Sequence, residues 1–131
     1  MKKELEQVLF ERYPRIFEER NQPMTHTAMC WGIAVGDGWF DLVNALCEQL
    51  QLRTLEYGEP QIVAQQVKEK LGQLRFRVGE ASETQRTLIE MAQSRSTQIC
   101  EICARPGTLY LTGHLWGARC EEHSRETGWA R

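Results

Sequence analysis

Residues 100–123 read CEICARPGTLYLTGHLWGARCEEH, with a pair of ligand-type side chains at each end of the stretch. Cys100 and Cys103 stand two residues apart, so one tight turn can present both sulfurs to a tetrahedral ion at about 2.3 Å. After sixteen intervening residues come Cys120 and His123, whose spacing lets both project from the first turn of a helix. Three thiolates and one imidazole complete a tetrahedral shell. Because a catalytic zinc keeps one position open for water, the expected cofactor is one structural zinc ion. The alternative, ordinary cysteines beside a surface histidine, would leave clustered thiols open to oxidation.

Between the two pairs, Thr108–Thr112 and Leu115–Arg119 flank a bend at Gly113 and His114, which predicts a hairpin. Knuckle, hairpin and helix in this order resemble the treble-clef zinc fingers over residues 100–124. In HNH-like nucleases of that group, a hairpin histidine acts as general base beside a divalent ion, and His114 occupies a comparable place. The resemblance departs there: beyond His114 the chain offers only Glu121, Glu122 and His123 at suitable positions, so a nuclease is not expected.

The chain has 131 residues, about one ordinary domain, with 41% hydrophobic and 26% charged residues, the balance of a folded protein. Sixteen basic against 18 acidic residues give a net charge of −2, so attraction to nucleic acid would have to come from a local patch. No signal peptide or membrane span is expected, which points to a soluble, cytoplasmic protein. Five cysteines, three of them ligands, leave Cys30 and Cys47. Cys47 falls among apolar residues at helical spacing and reads as core, with a disulfide to Cys30 as the alternative.

The rest of the chain reads as an α+β domain over 1–97, with the zinc-finger region over 98–131 packed on it. Apolar periodicity predicts helices near 3–12, 38–51, 60–71 and 83–96. The third begins at Glu59-Pro60, places Ile62, Val63, Val67 and Leu71 on one face, and stops at Gly72. Ser82 and Gln85 form a capping box for the fourth, and Asp37 in Gly36-Asp37-Gly38 is expected to cap the second. Leu74, Phe76 and Val78 alternate with Arg75 and Arg77, a strand with one cationic face. The expected core is Leu5, Leu9, Trp39, Leu42, Val43, Leu46, Leu50, Val63, Val67, Leu71, Phe76, Leu88 and Met91.

Two further surfaces are candidates. Residues 21–52 carry Asp37, Asp41 and Glu48 with no lysine or arginine, and Trp31 beside Gly32 is the tryptophan best placed for an exposed contact. Trp39 reads as core, and Trp116 and Tyr110 as aromatics that could stack on bases. Lys68, Lys70, Arg75 and Arg77 could form a basic patch, although Glu69, Glu80 and Glu83 would dilute it. His26 and Cys30 lack any signature of a nucleophile and base, and Gly32, Gly36 and Gly38 lack the phosphate-binding intervals.

Taken together, Gly36-Asp-Gly-Trp-Phe-Asp-Leu42, Val67-Lys-Glu-Lys-Leu-Gly-Gln-Leu-Arg-Phe76 and the two ligand pairs resemble a family of short proteins of bacteriophages and prophages, over residues 13–123. That resemblance implies a bacterial cytosol and an accessory role. The expected function is a non-enzymatic, zinc-stabilised binding protein that engages a host or phage protein through the face around Trp31 and Asp37, for instance inhibiting a host defence or regulatory factor. Nucleic-acid binding through Lys68, Lys70, Arg75 and Arg77 is the alternative; the near-neutral charge favours the first.

Overall fold

The computed structural model describes residues 1–126; Trp129 lies outside the described residues. In chain order the elements are α1 (Lys3–Arg12), β1 (Ile33–Ala34), α2 (Phe40–Tyr57), β2 (Ala64–Lys70), β3 (Gln73–Val78), α3 (Glu83–Ser96), β4 (Thr108–Thr112), β5 (Leu115–Arg119) and α4 (Glu121–Glu126). Short 3₁₀ turns at Glu18–Asn21, Ala28–Trp31 and Asp37–Trp39 fill the connections before α2. The expected α+β class is the observed one. The strands β1, β2 and β3 form one sheet in that order, β1 parallel to β2 and β2 antiparallel to β3, while β4 and β5 pair as a separate hairpin.

Trp39, Phe17, Leu9, Ile16, Met29 and Leu50 are among the largest fully buried side chains, and they join the inward side of the sheet at Val67, Leu74 and Phe76 in one core. Cys47 is buried and Cys30 exposed, and both are free thiols, so no disulfide joins them. The expected helices at 3–12 and 83–96 have the observed bounds. Helix α2 runs to Tyr57, beyond the expected end at 51. Its buried stripe finishes at Leu50, and Leu52 and Leu55 point to solvent, so the apolar periodicity runs out before the helix does. Gly58, at φ 67°, ends it by donating its N–H to the Thr54 carbonyl.

The expected helix over 60–71 is instead strand β2 and the turn that follows it. A β-bulge explains the misleading spacing. Ala64 pairs with Val78 and Gln66 with Arg77, so β2 spends two residues where β3 spends one. The bulge puts both Ala64 and Val67 in the core at an interval of three, a helical interval inside a strand. The carbonyl of the extra residue, Gln65, accepts the Thr27 hydroxyl at 3.1 Å. Leu71 and Gly72, at φ 54° and 79°, form the two-residue hairpin turn, a backbone shape with the left-handed geometry of type I′. Leu71 is therefore 59% exposed and not core. Met91 is 56% exposed, because α3 buries Gln85, Ile89, Ala92 and Ser96. Leu5, Leu42, Val63 and Leu88 are half-buried.

Helix α3 lies along the outer edge of β3 and supplies acceptors where an edge strand would leave bare amides. Ser96 Oγ accepts the Leu74 N–H at 2.9 Å, and Gln93 Oε1 accepts the Phe76 N–H at 3.0 Å. At its other end the capping box is complete, with Ser82 Oγ and Gln85 Oε1 each accepting the other's backbone N–H. Fully buried Gln85 also donates to the Pro60 carbonyl at 2.9 Å, tying α3 to the entry of β2. Replacing Gln85 with leucine keeps the bulk but leaves the Ser82 N–H without its acceptor. An expected loss of about 2 kcal/mol follows, read as a midpoint shift in urea unfolding; an unchanged midpoint would contradict this assignment.

Candidate metal centre and cationic face

The knuckle is built by backbone bonds before any metal is considered. Cys100 N–H donates to the Arg105 carbonyl at 2.8 Å and Ala104 N–H to the Cys100 carbonyl at 2.9 Å, curling the chain so that Cys100 and Cys103 face the same point. The hairpin then returns Cys120 beside them, and α4 carries His123 in its first turn. Among the described residues, the ligand atoms of Cys100, Cys103, Cys120 and His123 form the cluster suited to a metal ion, all within 4.8 Å of one another. Cys103 and Cys120 sulfurs are 3.7 Å apart, Cys100 Sγ and His123 Nδ1 3.5 Å, and Cys120 Sγ and His123 Nδ1 3.2 Å. A tetrahedron with metal–sulfur bonds of about 2.3 Å has sulfur–sulfur edges of about 3.8 Å. The donor set and its spacing therefore fit one ion.

Arg105 stands over the cluster, donating from Nε to Cys103 Sγ at 3.2 Å while its other end pairs with Glu122. Burial opposes ionisation of Cys103, but the bonds from the Arg105 side chain and backbone outweigh it and hold the thiol down at about 6. Cys100 is buried, and burial pushes its thiol up.

The ligand cluster is tied to the rest of the fold by Glu101, one of the two residues between Cys100 and Cys103. Its backbone N–H donates to the Ala118 carbonyl at 2.9 Å and its own carbonyl accepts the Gly38 N–H at 2.8 Å. Its carboxylate accepts the Gly36 N–H at 2.9 Å and lies 3.4 Å from the Arg119 guanidinium. Burial raises the carboxyl pKa, with the Gly36 bond working the other way. Trp39 Nε1 donates to the Ile99 carbonyl at 2.9 Å. Gly36 and Gly38 leave no room for a side chain: a Cβ on Gly36 would sit 2.3 Å from the Glu101 carbonyl oxygen, and one on Gly38 2.2 Å from that of Cys100. These glycines form the seat of the knuckle. Asp37 caps no helix; its carboxylate accepts the Lys2 backbone N–H at 2.9 Å, with the Lys2 ammonium 4.0 Å away.

Lys68, Lys70, Arg75 and Arg77 come together more closely than a helix and a strand would have placed them. Lys68 pairs with Arg75 across β2 and β3, Lys70 with Gln73, and Gln66 with Arg77, so all four cations share one side of the sheet. Glu69 falls on the opposite side by the same alternation and accepts the Gly72 N–H at 2.7 Å. Arg86, Glu90 and Gln93, along one face of α3, complete an open groove of about 480 Å³ with these cations. Glu80 and Glu83 do not line it. None of the four sheet cations has a carboxylate partner among the described residues.

Trp31 is 70% exposed and lines a separate groove with Phe10, Cys30 and Gly32 along α1. Asp37 does not line that groove, and Gly36 and Gly38 are covered by the knuckle, so the glycine-rich segment divides between two tasks. His114 is exposed at the β4–β5 turn, outside the metal cluster, and His26 faces Glu19 at 3.7 Å. The groove on α3 is the part that sequence reasoning missed; Arg86, Glu90 and Gln93 at helical spacing were its only signal.

No family model, no curated protein and no solved structure matches the chain. Among the described residues, no helix is long and apolar enough to cross a membrane.

Proposed function

We propose that this is a zinc-stabilised binding protein, not an enzyme, that takes nucleic acid on the cationic side of β2 and β3. The observation that carries this reading is the gathering of Lys68, Lys70, Arg75 and Arg77 on one sheet face, without a carboxylate partner among the described residues, while Glu69 turns away. A near-neutral chain with one concentrated patch attracts phosphate locally and presents its acidic residues elsewhere. The ion is zinc, held in a treble-clef arrangement by three thiolates and one imidazole, and its role is to hold the finger in shape. Three thiolates around a dication leave one negative charge, which the Arg105 guanidinium offsets. The resemblance to phage and prophage proteins sets this activity in a bacterial cytoplasm, as an accessory factor.

The test is fluorescence anisotropy with labelled oligonucleotides. Wild-type protein binds at low salt, and Arg75→Ala with Arg77→Ala weakens binding roughly tenfold or more while the melting curve stays in place. Equal binding by the double variant would remove these residues from the site.

A protein partner is the second reading, favoured by the 70% exposure of Trp31 beside its groove. A host or phage protein held there would survive nuclease and high salt and be lost with Trp31→Ala.

A further inference from the structure

We propose that the groove between the cationic sheet face and α3 seats a base of single-stranded nucleic acid, with Glu90 and Gln93 selecting bases that carry an amino group. This rests on the nucleic-acid reading above and names its substrate class. Duplex DNA is read by a helix or ribbon that protrudes into its major groove. Here the cations border an open groove instead, with α3 as one wall, which suits a strand whose bases can turn into it. An unstacked single strand can do so, its bases splayed from a backbone held by lysine and arginine.

The groove is not uniformly positive, and its mixed lining assigns the two sides. Lys68, Lys70, Arg75 and Arg77 belong to the sheet side and suit phosphates. Glu90 faces them from α3, and a carboxylate there repels phosphate but accepts from an amino group such as that of cytosine or adenine. Glu90 has no hydrogen bond or ion pair among the described residues. Gln93 is oriented for the complementary task. Its Oε1 is committed to the Phe76 N–H at 3.0 Å, which leaves its Nε2 as the donor it can offer in the groove it lines. An acceptor and a donor side by side match a base edge with an amino group next to a ring acceptor. Thymine and uracil also present a donor beside an acceptor, but their imide N–H lies between two carbonyl oxygens, so a carboxylate that reaches it meets the repulsion of the second oxygen as well.

The experiment compares short labelled oligo(dC), oligo(dA), oligo(dT) and a mixed-sequence duplex by anisotropy with the full chain at one salt concentration. Wild-type protein is expected to bind oligo(dC) or oligo(dA) about tenfold more tightly than oligo(dT), and the duplex most weakly. Glu90→Gln, an exposed substitution of the same shape, is expected to collapse that ratio toward one without lowering affinity for oligo(dT). Arg75→Ala with Arg77→Ala lowers all affinities in parallel. Duplex binding equal to the single strands, or an unchanged ratio in Glu90→Gln, would overturn the base seat and leave nucleic-acid binding standing. Absence of salt-sensitive binding to every oligonucleotide would overturn both.

Discussion

Replacing Cys103 with serine is expected to abolish metal binding by the four-ligand cluster and to unfold the finger. A serine hydroxyl does not ionise at neutral pH, so the shell falls to two thiolates and an imidazole. What remains is a two-stranded hairpin and a six-residue helix, and an isolated hairpin is marginal in water. Structural zinc contributes on the order of 10 kcal/mol to such units, comparable with the whole stability of a small domain. The damage spreads. Cys100 and Ala118 are fully buried, and the Gly36 and Gly38 amides are met by Glu101, so loss of the knuckle exposes apolar surface and orphans two donors. Elemental analysis should find less than one equivalent of metal, and the melting temperature should fall steeply. One full equivalent with unchanged melting would contradict this.

The second large effect is expected from Gly38→Ala, and its sign is informative. Gly38 has no left-handed backbone, so alanine would ordinarily stabilise by about 0.4–1 kcal/mol through the unfolded chain. In this fold its Cβ would meet the Cys100 carbonyl oxygen at 2.2 Å and the Glu101 backbone at 2.6 Å. Backbone atoms cannot swing aside as a flexible side chain can. The knuckle must lift, stretching the bond from Gly38 N–H to Glu101 and that from Trp39 Nε1 to Ile99. Overpacking at about 1–3 kcal/mol and two weakened hydrogen bonds at about 1 kcal/mol each outweigh the entropic gain, for a net loss of roughly 2–4 kcal/mol. Urea unfolding with metal present checks it. A stabilised variant would show that the knuckle does not sit on this turn.

The two ligand pairs, the capping box at Ser82 and Gln85, and the bounds of α1 and α3 were legible because each depends on neighbours within a few residues. The seat of the knuckle was not. Gly36 and Gly38 read as turn glycines, and their reason lies 65 residues away from Gly36 at Glu101, a contact without a local signal. Strand β2 was misread because its bulge at Gln65 imitates helical spacing, although Leu71-Gly72 followed by alternating Leu74, Phe76 and Val78 fits a hairpin turn as well as a helix stop. That one error also hid the coherence of the basic patch. On a helix, Lys68 and Lys70 would have stood about 200° apart, whereas on a strand they share a face and Glu69 takes the other. Asp37, read as a cap, instead holds Lys2, since α2 is entered through a 3₁₀ turn in which the Trp39 N–H is met by the Gly36 carbonyl and the Phe40 N–H by the Asp37 carbonyl.

The measurement that bears most directly on the proposed activity is the salt dependence of single-strand binding. Neutralisation of about four phosphates by Lys68, Lys70, Arg75 and Arg77 predicts that log K falls with log salt at a slope of roughly −3, and that Arg75→Ala with Arg77→Ala makes the slope shallower by about 1 to 1.5. A slope near zero, or the same slope in both proteins, would contradict a phosphate-binding face on this sheet.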